Sequence, residues 1–236
     1  RARQEAFHAL VPFVEELVLV HQVYHPARAR APPRSIFRHV GGRRGYLQHP
    51  RPDPRGGGRV SAFALRTATA ADADAIATLH TANWRSAYAA ILDPAYLAGP
   101  VIEDRHAVWR ERLTSPAPDM EVVVAENDQG IVGFVSLFHE REPAWGGFVD
   151  NLHSAAAVRG QGAGKALLVE AARRTAAREP AKGLYLWVFE RNESAVGFYL
   201  ELGATIAERL VSDWDKAPDE IRFRMHWPKA ADLARN

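Results

Sequence analysis

The stretch Val158-Arg159-Gly160-Gln161-Gly162-Ala163-Gly164-Lys165 limits what this chain can become more than any other part of it. Three glycines in five residues stand between an apolar, strand-like run and the helix-like run Ala166-Leu167-Leu168-Val169-Glu170-Ala171-Ala172. Glycine accepts positive φ and lets backbone come close to a ligand. At the mouth of a helix, such a loop turns unsatisfied N–H groups toward one point, with the positive end of the helix dipole behind them. That is a seat for phosphate oxygens. Two familiar phosphate loops are excluded by spacing. A mononucleotide loop would need glycine where Arg159 stands, and a hydroxyl for magnesium where Ala166 stands. A dinucleotide loop counted from Gly160 and Gly162 would need its third glycine at Lys165.

A second stretch adds to the first. Gly183 to Phe189 reads as a strand of β-branched and aromatic residues, turned by Glu190 to Ser194. Ala195 to Leu202 then carries Phe198, Tyr199 and Leu202 at helical spacing, and Gly203 suits the helix stop. The loop Arg159-Gly160-Gln161-Gly162-Ala163-Gly164, followed at this distance by strand, Asn192 and a Phe-Tyr helix, resembles the two signatures of the GNAT superfamily of N-acetyltransferases. The likeness extends over residues 62–227. Trp84-Arg-x-x-Tyr88 and Leu92-Asp-Pro-x-Tyr96-Leu97 are similar to the first-helix region of many members. The turn Ser154-Ala-Ala-Ala157 departs from it, since many members carry a proline or an acid there.

The resemblance implies acetyl-CoA as co-substrate and direct transfer of its acetyl group to a primary amine of a small molecule or a protein. It assigns the pyrophosphate to the amides around Arg159, Gly160, Gln161, Gly162, Ala163, Gly164 and Lys165. It places Leu152, His153 and Ser154 along the pantetheine arm like an added strand, one amide facing the thioester oxygen, a donor worth roughly 3 kcal/mol at a developing charge. Tyr199 is the expected general acid, its ordinary pKa of about 10 close enough to a thiol's to deliver a proton. Asn192 is expected to bond the pantetheine or the passing backbone, and it equally suits an Asx turn. Asp150 is the first choice for general base. It lies two residues before Leu152, so strand periodicity would put both on one face. His139, Glu140, Glu142 and His153 stand in reserve. Trp84 and Tyr88 are candidates for the wall of the acceptor site, although aromatic pairs on helices commonly serve the core. The same residues would also suit an acyl-CoA-binding sensor that turns nothing over.

Charge divides the chain. Residues 1–60 hold 11 arginines, no lysine and 4 acids, whereas residues 61–236 hold 19 basic and 24 acidic residues. That asymmetry sets a boundary near residue 60. Residues 4–22 form one helix pattern, interrupted by Pro12. Residues 26–59, with six prolines, six glycines and nine arginines, have too little apolar surface to offset ordering and are expected to be disordered. The lysine-free composition also fits translation upstream of a start near Val60. No recognisable nucleic-acid module accompanies the arginines, so nucleic acid is not an expected partner. The catalytic domain is expected over 61–228, with a tail over 229–236. Its fold class is α/β (α+β), a mixed and mostly antiparallel sheet of six to seven strands with helices on both faces. With no cysteine in the 236 residues, disulfides and cysteine nucleophiles are excluded. No apolar run is long enough for a membrane span, and the ten scattered histidines suggest no metal site. A cytoplasmic enzyme fits, and a homodimer stays open.

Overall fold

A computed structural model describes residues 63–236. The expected helix at 4–22 and the Arg/Pro/Gly-rich stretch lie outside the described residues. Strand β1 (Ala64–Thr67) opens the fold, and a 3-10 turn at Ala70–Asp72 leads into helix α1 (Ala73–Ala87). The short helix α2 (Pro94–Ala98) and helix α3 (Pro100–Thr114) follow, each with proline at its start, where the missing N–H costs nothing. Then come β2 (Met120–Asn127), β3 (Gly130–Glu142) and β4 (Gly146–Ser154). The glycine loop delivers helix α4 (Ala163–Arg178), after which come β5 (Leu184–Phe189), α5 (Glu193–Glu201), β6 (Thr205–Val211) and β7 (Ile221–Trp227).

The seven strands form one sheet in the order β1-β2-β3-β4-β5-β7-β6. All neighbours are antiparallel except β4 and β5. Both faces of its centre are covered, so the middle of β2, Val122 to Ala125, reads as an unbroken apolar run and its alternate residues enter different cores. Val123 and Ala125 join Val135, Leu137, Val149, Leu167 and Leu168 on the α4 side. Val122 and Val124 join Phe134, Ile76 and Trp109 on the side of α1 and α3. No helix among the described residues is long and apolar enough to cross a membrane.

One correction concerns the end of the chain. The tail expected from residue 229 is a short helix, α6 (Ala230–Leu233), whose Ala230 and Leu233 are buried beside α4. The stretch is too short for periodicity to reveal it. Burial of two apolar side chains against an existing helix is what orders it.

The turn into α1 is held by a capping box between Thr69 and Asp72. Asp72 accepts from the Thr69 N–H at 2.7 Å and takes a bidentate pair from Arg66 at 2.8 and 2.9 Å. Those bonds, the one from Arg66 above all, hold its carboxyl down to about 2. Because the folded value lies below the unfolded one, this stabilisation is present above pH 4 and is lost as pH falls toward 2. Asp72→Ala is expected to cost about 1–2 kcal/mol at pH 7, a range reduced for the partial exposure of Arg66. In urea unfolding the gap between variant and parent should close by pH 2; a gap of constant size would contradict the linkage.

Candidate active site

The parallel pairing of β4 with β5 is brief. Gly147, Phe148 and Val149 pair with Leu184, Tyr185 and Leu186, and there the two strands part. Strand β4 continues to Ser154 against β3, and β5 continues to Phe189 against β7. Each therefore presents an unpaired edge to the other beyond Val149 and Leu186. Leu152, His153 and Ser154 lie on the open edge of β4.

The glycine loop lies at the end of that edge. Gly160 and Gly162 have φ of +75° and +89°, the left-handed region, and a Cβ at either would meet no atom within 4 Å. Gly162 is the N-cap of α4, and the first bond along that helix runs from the Ala166 N–H to the Gly162 carbonyl at 2.9 Å. The amides of Ala163, Gly164 and Lys165 therefore have no acceptor within the helix. Gln161 donates from Nε2 to the Ala157 carbonyl at 3.0 Å and so braces the loop with its side chain. Val158 and Ala163 are buried and fix the loop at both ends, while Arg159 and Lys165 are exposed beside it. Open backbone, outward amides and two flanking cations fit a pyrophosphate.

Across the gap, α5 begins at Asn192, whose Oδ1 accepts from the Ala195 N–H at 3.4 Å. The capping role is thus present, and the amide donors of that side chain are left for other use. Tyr199 is buried on α5, edge-on to Trp227 at 6.1 Å. Burial, with the nearby Tyr88 phenol second, pushes its pKa well above the ordinary tyrosine value. Tyr88 itself is pushed up to about 12 by burial. Its ring meets Phe189 at 5.7 Å and Trp84 at 5.8 Å, and Trp84 meets Trp214 at 5.7 Å. Trp84 and Tyr88 so belong to one aromatic cluster on the α1 side of the opened strands, with Trp84 buried among Leu92, Leu97 and Val101.

Asp150 requires a correction. Its neighbours Val149 and Asn151 face Leu137 and Ser136, so Asp150 is the extra residue of a bulge. Leu152 packs toward α4. Asp150 turns to the other side, where Arg112 of α3 donates to it at 2.7 Å and Asn151 also bonds it. The two residues do not share a face, because the bulge shifts the alternation by one. His153 lies on the Asp150 side, its ring 4.5 Å from His80 and 5.2 Å from Phe134. Burial lowers its pKa to about 4, with the charge of Arg105 adding and that of Asp150 opposing. Trp109 Nε1 donates to His80 Nδ1 at 2.9 Å and anchors that second ring. The other reserves are elsewhere. His139 bonds Glu121 at 2.8 Å, Glu142 pairs with Arg224 at 2.9 and 3.0 Å, and Glu140 is exposed.

Sequence reasoning missed Arg105 and Arg112. Val101, Arg105, Val108, Trp109 and Arg112 recur at three and four along α3, and Val101, Arg105, Val108 and Trp109 are buried. A cation within an apolar stripe was the available signal.

A positive-φ glycine loop at a helix start, at the mouth of two parted strands and with a buried phenol opposite, fits an acyltransferase that takes its acyl group from a coenzyme A thioester. Residues 76–204 match the acetyltransferase (GNAT) family, and the chain belongs to it. It is an N-acetyltransferase that uses acetyl-CoA. Among solved structures it is similar to a PaiA N-acetyltransferase from Thermoplasma acidophilum in complex with coenzyme A, 19% identical, covering 70% of this chain and 97% of that one, with a TM-score of 0.56. A GCN5-related N-acetyltransferase from Rhodopseudomonas palustris is also 19% identical, covering 72% and 98%, with a TM-score of 0.56. A spermidine N-acetyltransferase, SpeG, from Vibrio cholerae is 18% identical, covering 73% and 96%, with a TM-score of 0.53. At these identities the likeness is one of fold. No curated protein matches significantly.

Proposed function

We propose that the amides from Gly160 to Lys165 hold the coenzyme's pyrophosphate and that the open edge from Leu152 to Ser154 takes its pantetheine arm. Acetyl-CoA supplies the activated acetyl group. The acceptor is a primary amine that enters on the side of Trp84 and Tyr88. Tyr199 gives a proton to the departing sulfur. The observation that carries this reading is the parting of β4 from β5 immediately before a positive-φ loop at a helix start.

The proton on the amine needs a different receiver from the one the sequence favoured. Arg112 holds the Asp150 carboxylate in an ion pair at 2.7 Å, so that group is engaged before the amine arrives. His153 is half-buried on the open edge of β4 and stays unprotonated through the neutral range. We assign the proton acceptance to His153, with the Asp150 charge behind it to steady the imidazolium. Because its pKa lies near 4, kcat/KM should climb with pH toward the acceptor's own pKa, without a break near 6.5. His153→Gln should lower kcat/KM by about 100-fold at pH 7, measured as thiol release from acetyl-CoA over a panel of amines. An unchanged rate would move the proton to solvent, and coenzyme binding with no turnover of any amine would favour a sensor instead.

A further inference from the structure

Arg105 is fully buried, yet neither its Nε nor its two Nη atoms has a hydrogen-bond partner. Such a group is unusual. A guanidinium carries five donors in a rigid fork, and burying one without an anion is costly enough that folded proteins pair it. The nearest carboxylates do not serve. Asp150 is engaged by Arg112 at 2.7 Å. Asp104 and Tyr96 act on the charge of Arg105, and the Tyr96 phenol lies near enough to interact with the guanidinium, but neither closes a well-formed hydrogen bond on its nitrogens. What the fold provides is an aromatic plate: the Arg105 Cζ lies 4.5 Å from the centre of the Trp84 ring. Stacking fixes the plane of the guanidinium and leaves its edge donors unspent.

The place of this group matters. Its charge is felt by His153 on the open edge of β4, and its plate, Trp84, meets Tyr88 and Trp214. It therefore stands at the acceptor end and not at the phosphate seat. We propose that Arg105 sets acceptor specificity by pairing with a carboxylate on the amine substrate, so that the substrate class is amino acids and related amino-carboxylates. This rests on the acetyl-transfer reading above. A polyamine would bring only further positive charge to a place that already holds Arg105 and Arg112. A carboxylate would meet a preorganised fork held against the Trp84 ring.

The test uses the whole chain and matched acceptors: an amino acid, its methyl ester, and spermidine, followed by thiol release from acetyl-CoA. The acid is expected to exceed its ester by about 100-fold in kcat/KM, the scale for a site whose polar groups are left unpaired by the wrong substrate. Arg105→Met should bring the acid down to the level of the ester through KM and not kcat, and Arg105→Lys should restore part of the difference. Removing an unpaired buried charge should also raise Tm by roughly 2–4 °C, which a structural arginine would not do. Equal use of acid and ester by the parent protein, or a preference for spermidine, would overturn the assignment while leaving acetyl transfer intact. If no amine is turned over, acetyl transfer itself fails. A thermal shift with the free amino acid then decides Arg105: stabilisation in the parent but not in Arg105→Met supports it, and no stabilisation in the parent refutes it. The parent's choice between acid and ester stands even if the variants do not fold.

Discussion

Gly162→Asp is expected to abolish binding of acetyl-CoA, raising its Kd by at least about 100-fold, with little loss of fold. The residue caps α4 at φ +89°, and a Cβ there meets open space. A side chain would therefore not strike the protein; it would occupy the room that the phosphates need. Backbone strain at positive φ costs about 1–2 kcal/mol, and Asp tolerates that region better than most residues. Its carboxylate would also sit at the positive end of the helix, an arrangement that stabilises the free protein. What is lost is the seat, since a fixed negative charge now stands where two more must come. Gly162→Ala separates the two effects, because it brings the strain without the charge and should weaken binding far less. Isothermal titration with acetyl-CoA, beside thermal unfolding of each variant, makes the comparison. Normal binding by Gly162→Asp would place the pyrophosphate elsewhere.

The same position shows why part of the site could be read from sequence. Gly160 and Gly162 are needed for a local reason: only glycine adopts their conformation without cost while leaving the backbone bare. Local requirements leave local marks, and the strand, loop, helix, strand, Asn, Tyr order follows from them. Asp150 shows the reverse. Its direction depends on a bulge opposite Ser136 and Leu137, fixed by pairing with a strand that sequence spacing cannot register. Alternation alone put Asp150 beside Leu152 and was defeated by one inserted residue. Arg105 is an intermediate case. Its place on the buried stripe of α3 was countable from the chain, but its lack of a partner is a property of Trp84, Arg112 and Asp150 brought together from separate elements.

These contacts also link the two basic groups of the site. Burial is the main cause that lowers the basicity of His153; the Asp150 charge opposes it and the Arg105 charge adds a smaller lowering. An acceptor carboxylate set against Arg105 would offset only that smaller contribution, and burial would still hold the His153 pKa down.

Tyr199→Phe is expected to reduce kcat by about 100-fold or more while Kd for acetyl-CoA and Tm stay nearly constant. The ring is held by packing, edge-on to Trp227 and 5.3 Å from Phe198, and phenylalanine keeps that packing. Only the hydroxyl goes, so a fall confined to kcat would isolate the proton it delivers. Burial and Tyr88 raise its pKa, so the acid form persists as pH rises, and the parent enzyme should show no loss of rate up to pH 10 from this group. The nearby phenol supplies the control. Tyr88, also raised, lies close enough to influence Tyr199, and it could deliver the proton in its absence. A modest fall in Tyr199→Phe, joined to a collapse in the Tyr88→Phe, Tyr199→Phe double variant, would mean that the two phenols share the role. Full activity in both would mean that the thiolate departs without help, and the general acid would have to be struck from the mechanism.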